Sequence, residues 1–277
     1  MNARKGKYLE TESLKGLLVA VCFSPMVLLS QEPGLGSPVQ VWEKRIAAQR
    51  IALDKLGQVY VLAPGNRLLR FGSNGVSTGE FSLPGLGRLA GIDVGDPLSP
   101  LLWYPDFQAV VLLDRTLGYL STLYLPDDVF VFPVLVVRGR DNRIWVFDKF
   151  QNRLICIDTH GRPQGQSQEL NLGGQSPKDP QVLVADEEGF FLSDSLQGIW
   201  RFDRLGQFQV FLPVKKVEAI LPIPGRQTIF KKEGDFFLIG GQEQPKPLIL
   251  PFQGSMLSMQ SRITVTWGEG VLRYFRQ

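Results

Sequence analysis

The chain is 277 residues long and 44% apolar, with 30 basic and 27 acidic side chains and a formal net charge of +3. That apolar content supports a sizeable core in one or two domains. The lack of any long single-sign block excludes an electrostatic footprint for nucleic acid.

At the start, Arg4, Lys5, Lys7 and Lys15 precede an apolar run from Leu17 to Ser30, interrupted only by Ser24 and Pro25. A basic lead, a short apolar stretch and a small residue before Gln31 read as a secretory signal peptide over 1–30. The run falls short of the roughly 20 apolar residues of a membrane span. Leu28 fits the small-x-small cleavage pattern poorly, so the cut is not fixed, and an uncleaved anchor or a buried strand competes. Val21 is bulkier than a lipobox requires before Cys22. Residues 31–38, QEPGLGSP, read as a flexible lead-in, and 39–277 as a single domain.

From Val39 the chain alternates apolar and polar through Trp42, as a half-buried strand does. A recurring unit follows. Asp54 to Gly75, Asp141 to Gly161 and Asp186 to Gly206 each place two short β-rich runs between polar turns, which is a hairpin pattern. Val59–Leu62 with Leu68–Phe71, Ile144–Phe147 with Leu154–Ile157, and Phe190–Leu192 with Ile199–Phe202 are the paired runs. Less clear copies carry Ala109–Leu113 and Tyr119–Leu125 around the turn Asp114–Gly118, then Gln227–Phe230 and Asp235–Ile239, then Thr264–Trp267 and Val271–Phe275. The closing glycines Gly75, Gly161 and Gly206 are spaced as two periods and one. A repeat near 40 residues built from about four short strands is the signature of a propeller blade. Six such segments fill the chain from Ile46: 46–82, 88–127, 132–171, 181–213, 217–252 and a short last one from Ile263. The expected fold is therefore all-β, a six-bladed β-propeller. Because an open sheet edge invites aggregation, the strand missing from the last segment is expected from Val39 to Lys44. A five- or seven-bladed ring and a two-sheet sandwich compete with this reading.

The run D-x-x-G/N-x-[IV]-[YW]-V, then N-R-[LI], then a D/S-x-x-G turn, resembles the NHL-type and related six-bladed propellers of secreted bacterial proteins. Three segments carry it clearly; the second, fifth and sixth depart from it, and Ala63 stands where the first segment would have its aspartate. The resemblance implies the fold and an exported location. Propellers of related shape include calcium-dependent lactonases, lyases and hydrolases, which use acidic, asparagine and histidine side chains around a metal.

The one histidine, His160, lies in a turn without partners at ligand spacing, so histidine triads and HExxH zinc sites are excluded. Cys156, among Leu154, Ile155 and Ile157, reads as a small core residue. Asp114, Asp148 and Asp194, read as following equivalent strands, are the candidate oxygen ligands for a calcium ion, which takes six to eight such ligands. The competing reading, that each hydrogen-bonds its own turn, is preferred, and extends to Asp54, Asp141 and Asp186. Trp103, Tyr104 and Phe107, read as lying in a Pro-rich connection, are candidates to anchor a partner, with capping of a blade core as the alternative. No catalytic or cofactor-binding residue stands out. The sequence thus points to a non-enzymatic exported binding or scaffolding module that recognises a protein partner through loops at one face. Such a module would be a monomeric ring with no cofactor, periplasmic or at the cell surface. The rival is a calcium-dependent hydrolase or lyase with an axial oxygen-ligand site, followed by a carbohydrate binder using the Trp103–Phe107 loop.

Overall fold

The computed structural model describes residues 38–277, apart from 140, 172–175, 224–226, 241–244, 251, 253 and 261. The signal peptide read over 1–30 and nearly all of the lead-in lie outside the described residues. No helix among the described residues is long and apolar enough to cross a membrane.

Among the described residues, twenty-four strands form six antiparallel four-stranded sheets. Strand β1 (Val39–Arg45) is set aside for the end. Blade 1 comprises β2 (Arg50–Leu53), β3 (Val59–Ala63), β4 (Arg67–Phe71) and β5 (Ser77–Phe81); blade 2 comprises β6 (Gly91–Asp93), β7 (Leu101–Tyr104), β8 (Ala109–Leu113) and β9 (Tyr119–Tyr124). Blade 3 holds β10 (Pro133–Arg138), β11 (Ile144–Asp148), β12 (Arg153–Ile157) and β13 (Pro163–Gln166), and blade 4 holds β14 (Pro180–Ala185), β15 (Gly189–Asp194), β16 (Gly198–Asp203) and β17 (Phe208–Leu212). Blade 5 is β18 (Val217–Ile223), β19 (Gln227–Lys232), β20 (Asp235–Gly240) and β21 (Lys246–Leu248); blade 6 contains β22 (Met256–Gln260), β23 (Ile263–Gly268) and β24 (Val271–Arg276). The fourth strand of blade 6 is β1, antiparallel to β24. The innermost strands run side by side around the axis, β6 by β10, β10 by β14, β14 by β18, β18 by β22, and β22 by β2. The ring is a six-bladed β-propeller.

The second and third strands of a blade lie between neighbouring blades, so both their faces must be apolar. This is why β3 (VYVLA), β8 (AVVLL) and β11 (IWVFD) are continuous runs rather than alternating ones, and why all of their residues are buried. The core is accordingly a series of inter-blade layers. Tyr60, Leu62 and Leu68 of blade 1 pack with Tyr104, Val111 and Leu113 of blade 2. Trp145 and Phe147 of blade 3 pack with Phe190, Trp200 and Phe202 of blade 4.

Closure rests on aromatic contacts. The ring of Trp42 in β1 stacks on Tyr274 in β24 at 5.3 Å between centroids, lies 6.4 Å from Phe71 in blade 1, and donates from Nε1 to Ser73 O at 3.1 Å. Trp267 Nε1 donates to Ile46 O at 2.7 Å, tying β23 to the segment leaving β1.

The recurring glycines serve the same inter-blade contacts. Gly75, Gly161 and Gly206 occupy the turn between the third and fourth strands with φ of 76°, 81° and 76°, where a side chain is strained. Each also presses on the preceding blade: a Cβ on Gly206 would lie 2.5 Å from the ring of Trp145, and one on Gly75 3.0 Å from Trp42. Blade 2 solves the problem differently. Leu117 takes the positive φ, 67°, and buries its side chain against blade 1, where Gly79 leaves room for it.

Two strands differ from the sequence reading. The pair read as the hairpin of segment two is β8 with β9, the third and fourth strands, whereas the pairs in blades 1, 3 and 4 are second and third. The strand missed is β7, LLWY, which has no alternation, no D-x-x-G/N turn before it, and prolines on either side. Strand β22 also went unassigned, since MLSMQ has few β-branched residues.

Candidate functional site

Consecutive strands reverse direction, so a blade has two ends. The turns after first and third strands lie on one face of the ring, called upper here. The turns after second strands, and the connections between blades, lie on the lower face.

Aspartates organise both faces. On the upper face Asp54 Oδ1 accepts from Leu56 and Gln58 N–H at 2.9 Å, and Asp114 Oδ1 accepts from Thr116 and Gly118 N–H at 2.7 Å. Asp203 Oδ1 accepts from Leu205 and Gln207 at 2.9 and 2.8 Å, and Asp158 Oδ1 from His160 and Arg162 at 2.8 and 3.0 Å. These are side-chain-closed turns, the mechanism by which aspartate favours such positions. Hydrogen bonds from the Thr116 side chain and the backbone hold the Asp114 carboxyl below its ordinary 3.8. A depressed carboxyl ties its turn above the unfolded value and releases it as pH falls through the folded one.

On the lower face the buried Asp148 does more. Its Oδ2 accepts from Val131 and Phe132 N–H at 2.7 and 2.9 Å, in the connection from blade 2, while Oδ1 accepts from Gln151 N–H at 2.8 Å. Asp194, also buried, repeats this one blade on, with Oδ2 taking Asp179 N–H and Oδ1 taking Leu196 and Gln197 N–H at 2.9 Å. Blade 1 lacks the aspartate at Ala63 but uses Asn66, which donates to Gly87 O at 2.7 Å and accepts from Leu89 N–H at 3.2 Å. The two aspartates clasp a turn to the connection entering their blade, whereas Asn66 ties its turn to the connection leaving blade 1.

Asp114, Asp148 and Asp194 therefore do not stand on equivalent strands. Asp114 follows a third strand on the upper face, and the other two follow second strands on the lower face, so the three do not form one shell. The frame slip at β7 produced that equivalence. Trp103 and Tyr104, expected in a loop, lie in β7 and are buried, with Trp103 Nε1 donating to Val134 O at 3.2 Å. Burial pushes the Tyr104 phenol up to about 12. Of the three, only Phe107, in the 3₁₀ turn Pro105–Phe107, is exposed. His160 is exposed in its turn, and Cys156 is buried, with burial chiefly pushing its thiol up to about 11.

An axial cavity of about 720 Å³ opens on the upper face, lined by residues from all six inner strands. Its charged lining includes Asp93, Arg138, Asp186, Glu187, Glu188 and Arg204. Asp93 accepts from Gly95 N–H at 2.8 Å and from Arg138 N–H at 2.7 Å; the Arg138 guanidinium donates to Asn142 Oδ1 and to Ser99 Oγ. Burial raises the Asp93 carboxyl and lowers the Arg138 guanidinium, and the opposite charge of each offsets the shift of the other. This pair links blades 2 and 3 across the channel wall. Among the described residues no three His, Cys, Asp or Glu side chains gather closely enough to hold a metal ion.

Exposed apolar side chains stand on both faces: Leu56, Val76, Leu98 and Leu205 in the upper turns, and a second group on the lower face of blades 2 to 4. Phe107 from the blade 2 turn, Val131 and Phe132 from the next connection, Phe150 from the blade 3 turn and Leu196 from the blade 4 turn are all exposed, Phe132 at 53% and Phe150 at 75%. The Asp148 clasp fixes the backbone that presents Val131 and Phe132, and the Asp194 clasp does so for Leu196. The sequence carried one overlooked signal for this group: Phe150 is the lone apolar residue in the polar turn Asp148–Asn152.

No protein-family model and no curated protein sequence matches this chain. Solved structures do match in shape. Virginiamycin B lyase from Staphylococcus aureus, crystallised with quinupristin, is 13% identical with a TM-score of 0.57, over 82% of this chain and 79% of that one. A streptogramin B lyase is 11% identical with a TM-score of 0.57, over 86% and 98%. BBS1N, in complex with ARL6DN, is 10% identical with a TM-score of 0.51, over 86% and 96%. The shared feature is the propeller fold. At such identities the likeness extends to fold alone, and it spans both an enzyme and a protein in a complex.

Proposed function

We propose that this propeller is an exported, non-enzymatic binding or scaffolding module that recognises a protein partner in the periplasm or at the cell surface. The observation that carries the reading is the exposed apolar group Phe107, Val131, Phe132, Phe150 and Leu196 on the lower face. Apolar side chains held out at five positions on one face of three blades are what a partner's apolar side chains can bury. In the axial cavity, Asp93 and Arg138 are committed to hydrogen bonds in the channel wall. Export rests on the basic lead and apolar run that open the chain.

The test compares tagged wild-type protein with Phe132→Ser/Phe150→Ser and with Leu56→Ser, whose side chain is exposed on the upper face. The proteins retained from the envelope fraction are quantified for each. The double variant is expected to lose a protein that the wild type and Leu56→Ser both retain. Each phenylalanine is expected to contribute about 2 kcal/mol of binding, while stability stays within about 0.5 kcal/mol, as for exposed sites. Identical retention by all three chains refutes the reading.

A further inference from the structure

The outer strand of blade 2 differs from the outer strands of the other blades. Strand β1 carries Glu43, Lys44 and Arg45, and β5 carries Glu80, paired with Arg67 at 2.7 Å. Strand β13 opens on Pro163, and β21 is Lys-Pro-Leu. Strand β17 is uncharged but turns Phe208 and Phe211 onto Phe202 and Trp200. Charges, prolines and inward-turned side chains are how sheet edges are kept from pairing. Strand β9, YLSTLY, has no charge, proline or glycine, and exposes Tyr119, Leu120 and Tyr124 at 55%, 54% and 59%.

The hydrogen-bonding direction of this edge follows from one contact. Leu125 N–H donates to Gln108 O at 2.9 Å, on the β8 side. Backbone groups alternate along an antiparallel strand, so Leu123 and Ser121 also bond inward. Thr122 and Tyr124 turn their N–H and C=O away from the blade.

We propose that β9 pairs antiparallel with β9 of a second copy of this chain, joining two propellers edge to edge. Centred on Thr122, the pairing sets the two Thr122 residues opposite one another in a hydrogen-bonded pair, and Tyr124 of each copy across from Leu120 of the other. Thr opposite Thr is a favourable cross-strand combination, and Tyr124 against Leu120 buries apolar surface that each copy exposes alone. Self-pairing requires a strand that does not set like charges against its own copy, and β9 has none. The flanks are complementary. Exposed Arg115 precedes the strand and exposed Asp127 and Asp128 follow it, so the antiparallel register carries each Arg115 toward the acidic pair of the other copy. The assembly departs from the monomeric ring expected from sequence.

Sedimentation velocity on the full chain, as the producing cell exports it, tests this across a concentration series. The wild type is expected at twice the single-chain mass. Tyr124→Lys and Thr122→Pro are expected at the single-chain mass, the former with melting little changed because Tyr124 is 59% exposed. Arg115→Asp is expected to weaken the dimer several-fold, and adding Asp127→Lys and Asp128→Lys to restore it. A wild type that stays monomeric, or a dimer that survives Tyr124→Lys, overturns the proposal. A triple variant that fails to recover overturns the register.

Discussion

Starting the chain after Arg45, so that β1 is lost, is expected to leave no cooperatively folded ring, and Trp42→Ala alone to cost about 3 kcal/mol. Strand β1 is the fourth strand of blade 6, pairing with β24 from Val39–Arg276 to Arg45–Val271. Without it β24 becomes an open edge, and Tyr274 and Phe71 lose the indole between them. Trp42 is part-buried rather than enclosed, which sets its truncation at the low end of the range for large aromatics. Urea unfolding followed by tryptophan fluorescence and circular dichroism measures both. A truncated chain that melts like the full one would show that the ring closes by some other contact.

Asp148→Ala is expected to destabilise the protein by about 3 kcal/mol or more, because three backbone N–H groups lose their acceptor where the carboxylate is buried. Asp114→Ala is expected to cost much less, since water replaces the carboxylate at an exposed turn. The contrast is informative because both residues follow strands and look alike in sequence. Asp148→Asn, which keeps one acceptor oxygen, is expected between them. Denaturant midpoints at constant slope give the ranking; equal costs for Asp148→Ala and Asp114→Ala would contradict the clasp.

Much of the ring was legible because its turns use residue chemistry that the sequence displays directly. Asp54, Asp158 and Asp203 close side-chain turns, and Gly75, Gly161 and Gly206 hold the positive φ that sits against the neighbouring blade. The closing role of the Trp42 strand was legible by elimination, since the last blade was one strand short. Blade 2 was misframed because Leu117 replaces the glycine by burying its own side chain, and because β7 enters and leaves through prolines. That slip moved Trp103 and Tyr104 from the core into an imagined loop and matched Asp114 with the wrong aspartates. The apolar group on the lower face was largely illegible for a different reason. Phe132 and Leu196 look like any strand-flanking apolar residues until the ring fixes which way the connections turn.

Site-specific photo-crosslinking in the producing cell tests the lower-face reading most directly. A photoreactive residue replaces Phe150 in one strain and Leu56, on the opposite face, in another. The expected result is a discrete crosslinked protein from position 150 and none from position 56. Crosslinking from position 56 with none from position 150 would contradict it.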